Sequence, residues 1–419
     1  MKKRAFTQSP TALLPGAGFE TAKLLSPNEA IAAYFERVPI GPLGVERVPL
    51  AMAFGRILAE RLDADADYPN AARSSMDGFA LEAGATPGAF ALAGEIRMGS
   101  AWGTRLAAGS ALRIPTGGVL PEGADAVVPI EDARVEGGRV WVDAPVPSGD
   151  CISPQGGDMR RGEPVLPAGR RIGAPELGVL ATLGVEDVPV LRRPMLAVIS
   201  SGDELIEPGR APAPGQIRDS NRYAIAGALQ AMGAAVRHYP IVPDLPGALE
   251  AALREALTEC DGAMLSGGSS VGERDLTPDA LAALGDPGVV VHGLRVKPGK
   301  PTVLGAVGLK PIIGLPGNPT SALVILEAVV APIVAALVGA PVLKNTVDAR
   351  LDGPMRSVAG WTWYLPVSLE DELGDCVAHP LPLRSSAVSL TARAAGYVIM
   401  DERDEVFEAG DRVRVYRFF

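Results

Sequence analysis

From residue 194 to residue 340, short apolar runs take turns with amphipathic helical patterns, and this alternation confines the segment to a doubly wound, parallel α/β sheet. Strands are expected at Met195 to Ile199, Val236 to Val242, Gly262 to Leu265, Val289 to Val291 and Ile312 to Leu315. Between them, Ile225, Leu229 and Met232 share one face of a helix from Asn221 to Met232 that stops at Gly233, and Leu249, Leu253 and Leu257 do the same from Ala248 to Leu257. The stretch from Ser321 to Leu337 is apolar nearly all round, so a neighbouring domain or subunit is expected to bury it.

The rest of the chain has a different grain. Residues 1–20 carry Pro10, Pro15, Gly16 and Gly18 without any sustained period and read as a flexible tail. Ser26-Pro27-Asn28-Glu29 fits a helix start, with Ser26 as the cap, Pro27 in the first position and Glu29 completing a capping box, for a helix running to about Glu36. From Leu62 to Val146, β-type runs such as Ala124 to Ile130 and Arg139 to Val142 alternate with Gly/Pro turns, the mark of a small all-β unit. A helix from Ala174 to Leu180 is expected to pack back beside the N-terminal one, making a discontinuous mixed domain of residues 21–62 and 150–190 around a β-domain of residues 63–149. The α/β domain then spans 191–342, and a C-terminal β-domain spans 343–419 and closes with a hairpin across Phe407 to Val415.

Charge and rare residues narrow the function. The 419 residues carry a formal net charge of −10, which disfavours nucleic acid as a partner, because that affinity comes from Lys and Arg neutralising phosphates. Cys151, Cys260 and Cys376 form no CxxC pair, and His238, His292 and His379 lie far apart, so a zinc site or a Ser/His/Asp triad has little raw material. Any metal is expected to be hard and oxygen-ligated. No run reaches the roughly 20 uninterrupted apolar residues of a membrane span, and Met1-Lys2-Lys3-Arg4 is not followed by a compact hydrophobic segment, so a cytoplasmic location without membrane contact is expected.

In open α/β sheets ligands bind at the carboxyl ends of the strands, and there the unusual residues cluster. The first strand is followed by Ser200-Ser201-Gly202-Asp203-Glu204, the second by Pro243-Asp244, and the third by Ser266-Gly267-Gly268-Ser269-Ser270-Val271-Gly272-Glu273-Arg274-Asp275. The last two lead into Lys297-Pro298-Gly299-Lys300-Pro301 and Leu315-Pro316-Gly317-Asn318-Pro319-Thr320-Ser321. Glycine turns that expose N–H groups, two nearby lysines and hydroxyls at a helix start suit an oxyanion or phosphate. Glu204, Asp244 and Asp275 add carboxylates at the same edge; carboxylates and an anion share a pocket when a cation bridges them, and Mg²⁺ suits that role. Taken singly, each feature has a plainer meaning: a Gly-Gly turn is usually a tight connection, a loop carboxylate usually a helix cap, and a lysine usually a solvated charge. Their coincidence at one edge carries the inference.

Those segments, in this order and together with Ser74-Ser75-Met76-Asp77-Gly78-Phe79-Ala80, Arg113-Ile114-Pro115-Thr116-Gly117-Gly118, Pro121-Glu122-Gly123-Ala124-Asp125-Ala126 and Gly157-Asp158-Met159-Arg160-Arg161-Gly162-Glu163, resemble the molybdopterin molybdenumtransferase family, the MoeA-type proteins related to the gephyrin E domain. The resemblance covers nearly all of the chain beyond residue 25. It implies an elongated four-part subunit with a MogA/MoaB-like α/β domain. It also implies a homodimer whose active site lies between the α/β domain of one subunit and the β-domain of the other. It further implies that Glu204, Asp244 and Asp275 hold Mg²⁺ and the pterin pyrophosphate, and that Ser266, Gly267, Gly268, Ser270, Lys297, Lys300 and Ser321 surround phosphate or molybdate. Asp77, Thr116 and Asp158, with Asp275, match residues associated with activity.

The implied reaction hydrolyses the phosphoanhydride of molybdopterin-AMP, releasing AMP, and places molybdenum from molybdate on the two dithiolene sulfurs. Asp77 or Asp158 is the carboxylate expected to orient water or accept its proton. Two other readings compete: a non-catalytic molybdopterin-binding protein that delivers cofactor, and the molybdopterin adenylyltransferase of the preceding step. Transient contact with that adenylyltransferase and with recipient molybdoenzymes is expected of the molybdenumtransferase reading. Molybdate and tungstate are not distinguished by sequence, since their charge and shape nearly coincide.

Overall fold

The computed structural model describes residues 24–267, 276–341, 344–372 and 374–418. The chain divides into two compact units: a larger one of residues up to Glu46, Gly55–Ile57 and Leu191 onward, and a smaller one of Arg47–Phe54 and Leu58–Val190. The expected N-terminal tail lies outside the described residues.

The larger unit is built on a six-stranded sheet of β1 (Met195–Ser200), β2 (Ala235–His238), β3 (Gly262–Ser266), β4 (Pro287–His292), β5 (Val303–Val307) and β6 (Lys310–Leu315), in the order β2-β1-β3-β6-β5-β4. Strands β2, β1, β3 and β6 are mutually parallel. Strand β5 runs antiparallel to both of its neighbours, so β4 points the same way as the first four. All five strands read from the sequence therefore end at one edge, and the strand the sequence hid is the reversed one. Gly305 obscured it by breaking the apolar run, and it is glycine for a packing reason: a Cβ there would lie 2.2 Å from a Leu281 methyl and 2.7 Å from the Gly288 carbonyl oxygen. Leu281 belongs to the helix Leu276–Leu284, which the sequence reading also passed over.

Side chains alternate across the sheet as a period of two requires. Leu196, Val198, Met264, Ile313 and Leu315 enter one core with Ile225, Leu229 and the apolar helix after β6. Ala197, Ile199, Ala263, Leu265 and Ile312 enter the other with Leu249, Leu253 and Leu281. The first helix, Pro27–Arg37, has the expected capping box, with the Glu29 N–H donating to Ser26 Oγ at 3.3 Å and the Ser26 N–H to Glu29 Oε2 at 2.8 Å. It was expected beside the Ala174–Thr182 helix. Instead its apolar face, Ala30, Tyr34 and Val38, joins the first core of the larger unit, and the Tyr34 hydroxyl donates to the Gly305 carbonyl at 3.3 Å.

The helix after β6 runs as Pro319–Ile325, a π-helical turn at Leu326–Val330, and Ala331–Val338. Pro332 has no N–H to offer the turn before it, which widens there. By length and composition Pro319–Val338 is apolar enough to cross a membrane, a match the sequence reading did not make, but it is 67% buried. Its burial needs no second subunit: Ile225, Tyr34, Tyr364 and Tyr397 of the same unit share its core.

In the C-terminal part, strands Thr362–Glu372, Asp375–Pro380, Thr346–Leu351, Arg412–Arg417 and Gly396–Met400 pair in that order and the last returns to the first, closing a barrel. The expected hairpin across Phe407 to Val415 is not formed. Val406–Phe407 pairs with Met355–Arg356 in a separate two-stranded sheet, while Arg412–Arg417 pairs with Thr346–Leu351 in the barrel. A short helix, Val388–Arg393, was also missed.

The smaller unit carries a six-stranded sheet ordered Ala126–Pro129, Gly78–Leu81, Ser110–Ile114, Gly88–Glu95, Arg139–Val142 and Ala133–Glu136. A separate core of Ala53, Leu58, Leu166, Ile172, Leu180, Val188 and Val190 lies under the Ala174–Thr182 helix.

Candidate functional site

The strand ends of the larger unit are joined to one another by identifiable contacts. Beyond β1, Ser201 forms an isolated parallel bridge with Val242, and the Gly202 N–H donates to the Val242 carbonyl at 3.1 Å. That pairing brings the two loops close enough for the Ser201 hydroxyl to donate to Asp244 Oδ1 at 2.8 Å. Asp203 Oδ1 accepts the Asp244 N–H at 3.1 Å, a role the sequence could not assign because neighbouring Glu204 is the same chemical type. The Glu204 carboxylate folds back over Gly202, where an added Cβ would meet it at 2.5 Å. Glu204 and Asp244 are both exposed at the edge.

Beyond β3, Gly267 has φ +93° and lies so near the neighbouring loop that a Cβ would fall 2.1 Å from the Ser201 carbonyl oxygen. A Cβ on Gly317, in the loop after β6, would reach to 3.8 Å from the Gly267 Cα. Asn221, at the start of the helix Asn221–Ala231, ties these two loops: its Nδ2 donates to Ser266 Oγ at 2.7 Å and to the Gly317 carbonyl at 2.8 Å. Read from sequence, Asn221 is only a helix-start asparagine; its cross-loop role follows from the fold. The Ser266 hydroxyl is thus engaged within the scaffold.

The lysine segment is a continuation of the β4–β5 pair. The Gly293 N–H donates to the Thr302 carbonyl and the Leu294 N–H to the Lys300 carbonyl, both at 2.8 Å, and the Thr302 hydroxyl closes on the Gly299 carbonyl at 2.7 Å. Gly299, at φ +117°, abuts the helix after β6, where a Cβ would lie 2.3 Å from Ile325 Cγ1. Buried Ser321 belongs to that same helix. The Lys297 ammonium sits 4.6 Å from the Trp363 ring centroid, and burial holds its pKa below the usual lysine value.

Ser201, Asp244, Ser266, Gly267 and Gly317 therefore form one contact chain. Lys297 and Lys300 share a hairpin packed against the helix that carries Ser321. Gly268, Ser270 and Asp275 lie outside the described residues. Among the described residues, no group of three or more His, Cys, Asp or Glu side chains is placed to hold a metal ion, and Glu204 and Asp244 are the two described members of the expected magnesium set.

In the smaller unit, Asp77 precedes the strand Gly78–Leu81 and Thr116 follows Ser110–Ile114; the register Gly78↔Ile114 sets them side by side. Asp77 Oδ1 accepts the Thr116 N–H at 2.6 Å and its hydroxyl at 2.9 Å, and these two bonds hold the carboxyl below its ordinary range. Asp158 is exposed on a separate turn whose backbone is tied to Tyr68, with its N–H donating to the Tyr68 carbonyl at 3.0 Å.

Comparison with known proteins adds an independent line. Residues 25–184 match the MoeA N-terminal region (domain I and II), residues 197–336 a probable molybdopterin binding domain, and residues 348–418 the MoeA C-terminal region (domain IV). A putative molybdopterin biosynthesis protein of Methanocaldococcus jannaschii is 32% identical over 89% of this chain and 92% of its own. A molybdopterin molybdenumtransferase 2 of Mycobacterium tuberculosis is 33% identical over 88% of this chain and 94% of its own. The crystal structure of a molybdopterin biosynthesis MoeA protein from Pyrococcus horikosii superposes with a TM-score of 0.81 at 33% identity, covering 95% of this chain and 100% of that one.

Proposed function

The chain belongs to the MoeA family of molybdopterin molybdenumtransferases, and we propose from that premise that it inserts molybdate into adenylylated molybdopterin in a magnesium-dependent step that releases AMP. The observation that carries this reading is the junction of strand-end loops through Asp244, Ser201, Gly267 and Gly317, in the same sheet as a lysine hairpin packed on the Ser321 helix. Acceptors and donors of opposite charge at one sheet edge suit a ligand that is itself an anion accompanied by a cation.

The donor set fits magnesium. Glu204 and Asp244 would supply exposed carboxylate oxygens, and Mg²⁺ takes one or two carboxylates, completing its shell with phosphate oxygens and water. Bound there, the ion would offset charge on the anhydride phosphates. Lys297 and Lys300 would bind the oxyanion and the phosphates, and Ser201 would keep Asp244 turned toward the ligand. Asp275, Gly268 and Ser270 complete the proposed set by their place in sequence. Asp77 would orient the attacking water, since the Thr116 hydrogen bonds that lower its pKa make it a weaker proton acceptor. Asp158 is the other carboxylate proposed to accept the proton. A homodimer and a cytoplasmic location belong to the same reading.

The test is to supply molybdopterin-AMP, Mg²⁺ and molybdate and to follow AMP release and metal in the pterin product. Release of AMP that requires both additions supports the reading; tight pterin binding without release would favour a carrier, and ATP consumption without molybdate an adenylyltransferase. Repeating the assay with tungstate ranks the two oxyanions.

A further inference from the structure

We propose that Trp363 is a positioning residue for Lys297, through which the C-terminal barrel acts on the strand-end site by fixing the direction of one ammonium group. The proposal rests on the reading of Lys297 as a ligand of the oxyanion or phosphates. Val296–Lys297 forms a two-residue strand laid parallel to the barrel strand Thr362–Glu372, in the register Lys297↔Trp363. Residues in register project from the same face of a sheet, and the ammonium accordingly lies 4.6 Å from the indole centroid, within the roughly 6 Å over which a ring quadrupole attracts a cation.

The ring is itself fixed. Trp363 is 7% exposed and packs with Leu365, Val398 and Met400 in the barrel core. The backbone beside it is fixed as well: the Thr362 N–H donates to the Arg295 carbonyl at 3.1 Å, and Arg295 Nη2 reaches both oxygens of Glu402 at 2.9 and 3.1 Å. A lysine side chain is a flexible stem carrying a point charge, so a rigid aromatic face against its end removes much of the freedom that would blur its aim. Trp363 contacts no reacting group in this scheme. It acts on the ligand only through the lysine it holds.

The test compares Trp363→Phe with Trp363→Leu. Phe keeps a ring face and Leu keeps only apolar bulk. Two measurements are made on each full-length variant: the KM for molybdate and kcat of AMP release, and the rate at which acetic anhydride labels Lys297 relative to Lys300 without substrate, read by mass spectrometry. The Leu variant is expected to raise KM about tenfold with kcat held, and to label Lys297 several-fold faster, while Phe restores both toward the parent. If the Leu variant fails to fold, replacement of tryptophan by mono-, di- and trifluorotryptophan weakens the ring face without altering its shape, and KM and Lys297 labelling should rise in step with fluorine number. Unchanged KM and labelling in the Leu or fluorinated proteins, or a Phe variant that behaves as Leu, overturns the proposal. Should the parent protein release no AMP, the functional reading falls, while the labelling comparison still decides whether Trp363 holds Lys297.

Discussion

The Ser201 hydroxyl donates to the Asp244 carboxylate over 2.8 Å, so a buried residue just beyond β1 sets the direction of an exposed acid beyond β2. An acid on an open loop otherwise spreads over several rotamers. Oriented this way, Asp244 would have less side-chain freedom to lose on meeting the proposed magnesium ion.

Ser201→Ala is expected to raise the Mg²⁺ concentration for half-maximal AMP release by roughly tenfold, the usual scale for loss of a group that orients a metal ligand. Folding should be little affected, because Asp244 can turn to water. A magnesium titration of the variant that overlays the parent curve would remove Asp244 from the ion site.

Gly267→Ala places a Cβ 2.1 Å from the Ser201 carbonyl at a backbone φ of +93°. Backbone strain of this kind costs about 1–3 kcal/mol before the clash is counted. Denaturant unfolding should show at least that loss, and turnover should fall with it because the β1 and β3 loops are forced apart. A variant as stable and as active as the parent would show that the two loops do not need their close approach.

Asn221→Ala withdraws the donor shared by Ser266 Oγ and the Gly317 carbonyl. Ser266 Oγ is buried, so leaving it without that donor costs about 1–3 kcal/mol, while water can reach the exposed Gly317. Asn221→Asp should be no better, since a carboxylate cannot donate to either partner. Equal stability of the parent and the aspartate variant at neutral pH would contradict the bridging role.

Asp77 has a depressed pKa in the folded chain, so its ionised form stabilises the fold at pH values above the unfolded carboxylate value of about 3.9. That contribution fades as pH falls through the lower folded value. Carbon-detected titration should find Asp77 ionised at pH 4, and Thr116→Val should move its midpoint upward. A midpoint at or above the ordinary value in the parent would return Asp77 to candidacy as the proton acceptor.

Lys300→Ala is expected to lower turnover more than tenfold, equivalent to about 1.4 kcal/mol or more of lost transition-state stabilisation, with the oligomeric state unchanged. Sedimentation and AMP release measured on the same preparation decide it. Full activity would remove the lysine hairpin from the site.

Strand direction and the gathering of these loops at one sheet edge were legible in the sequence because a parallel sheet writes its strands as apolar runs and its loops as clusters of glycine, hydroxyl and charge. The helix start at Ser26 was legible too, since a capping box is a purely local device. What depended on distant partners was not. Gly305 reads as a break in a run until Leu281 is seen against it, and Asn221 reads as a cap until Ser266 and Gly317 surround its amide. The Pro27–Arg37 helix was placed beside the wrong neighbour for the same reason: amphipathic spacing says that a face is buried and is silent on what buries it.

Both legs of the Gly293–Thr302 hairpin continue strands of the sheet, and Gly299 seats its turn against Ile325. The turn that carries Lys297 and Lys300 is thereby formed before any ligand arrives, and a tetrahedral dianion bound there would add its contacts to the folded chain alone. Sulfate or tungstate alone would then raise the melting temperature, even for a protein that had never met its pterin.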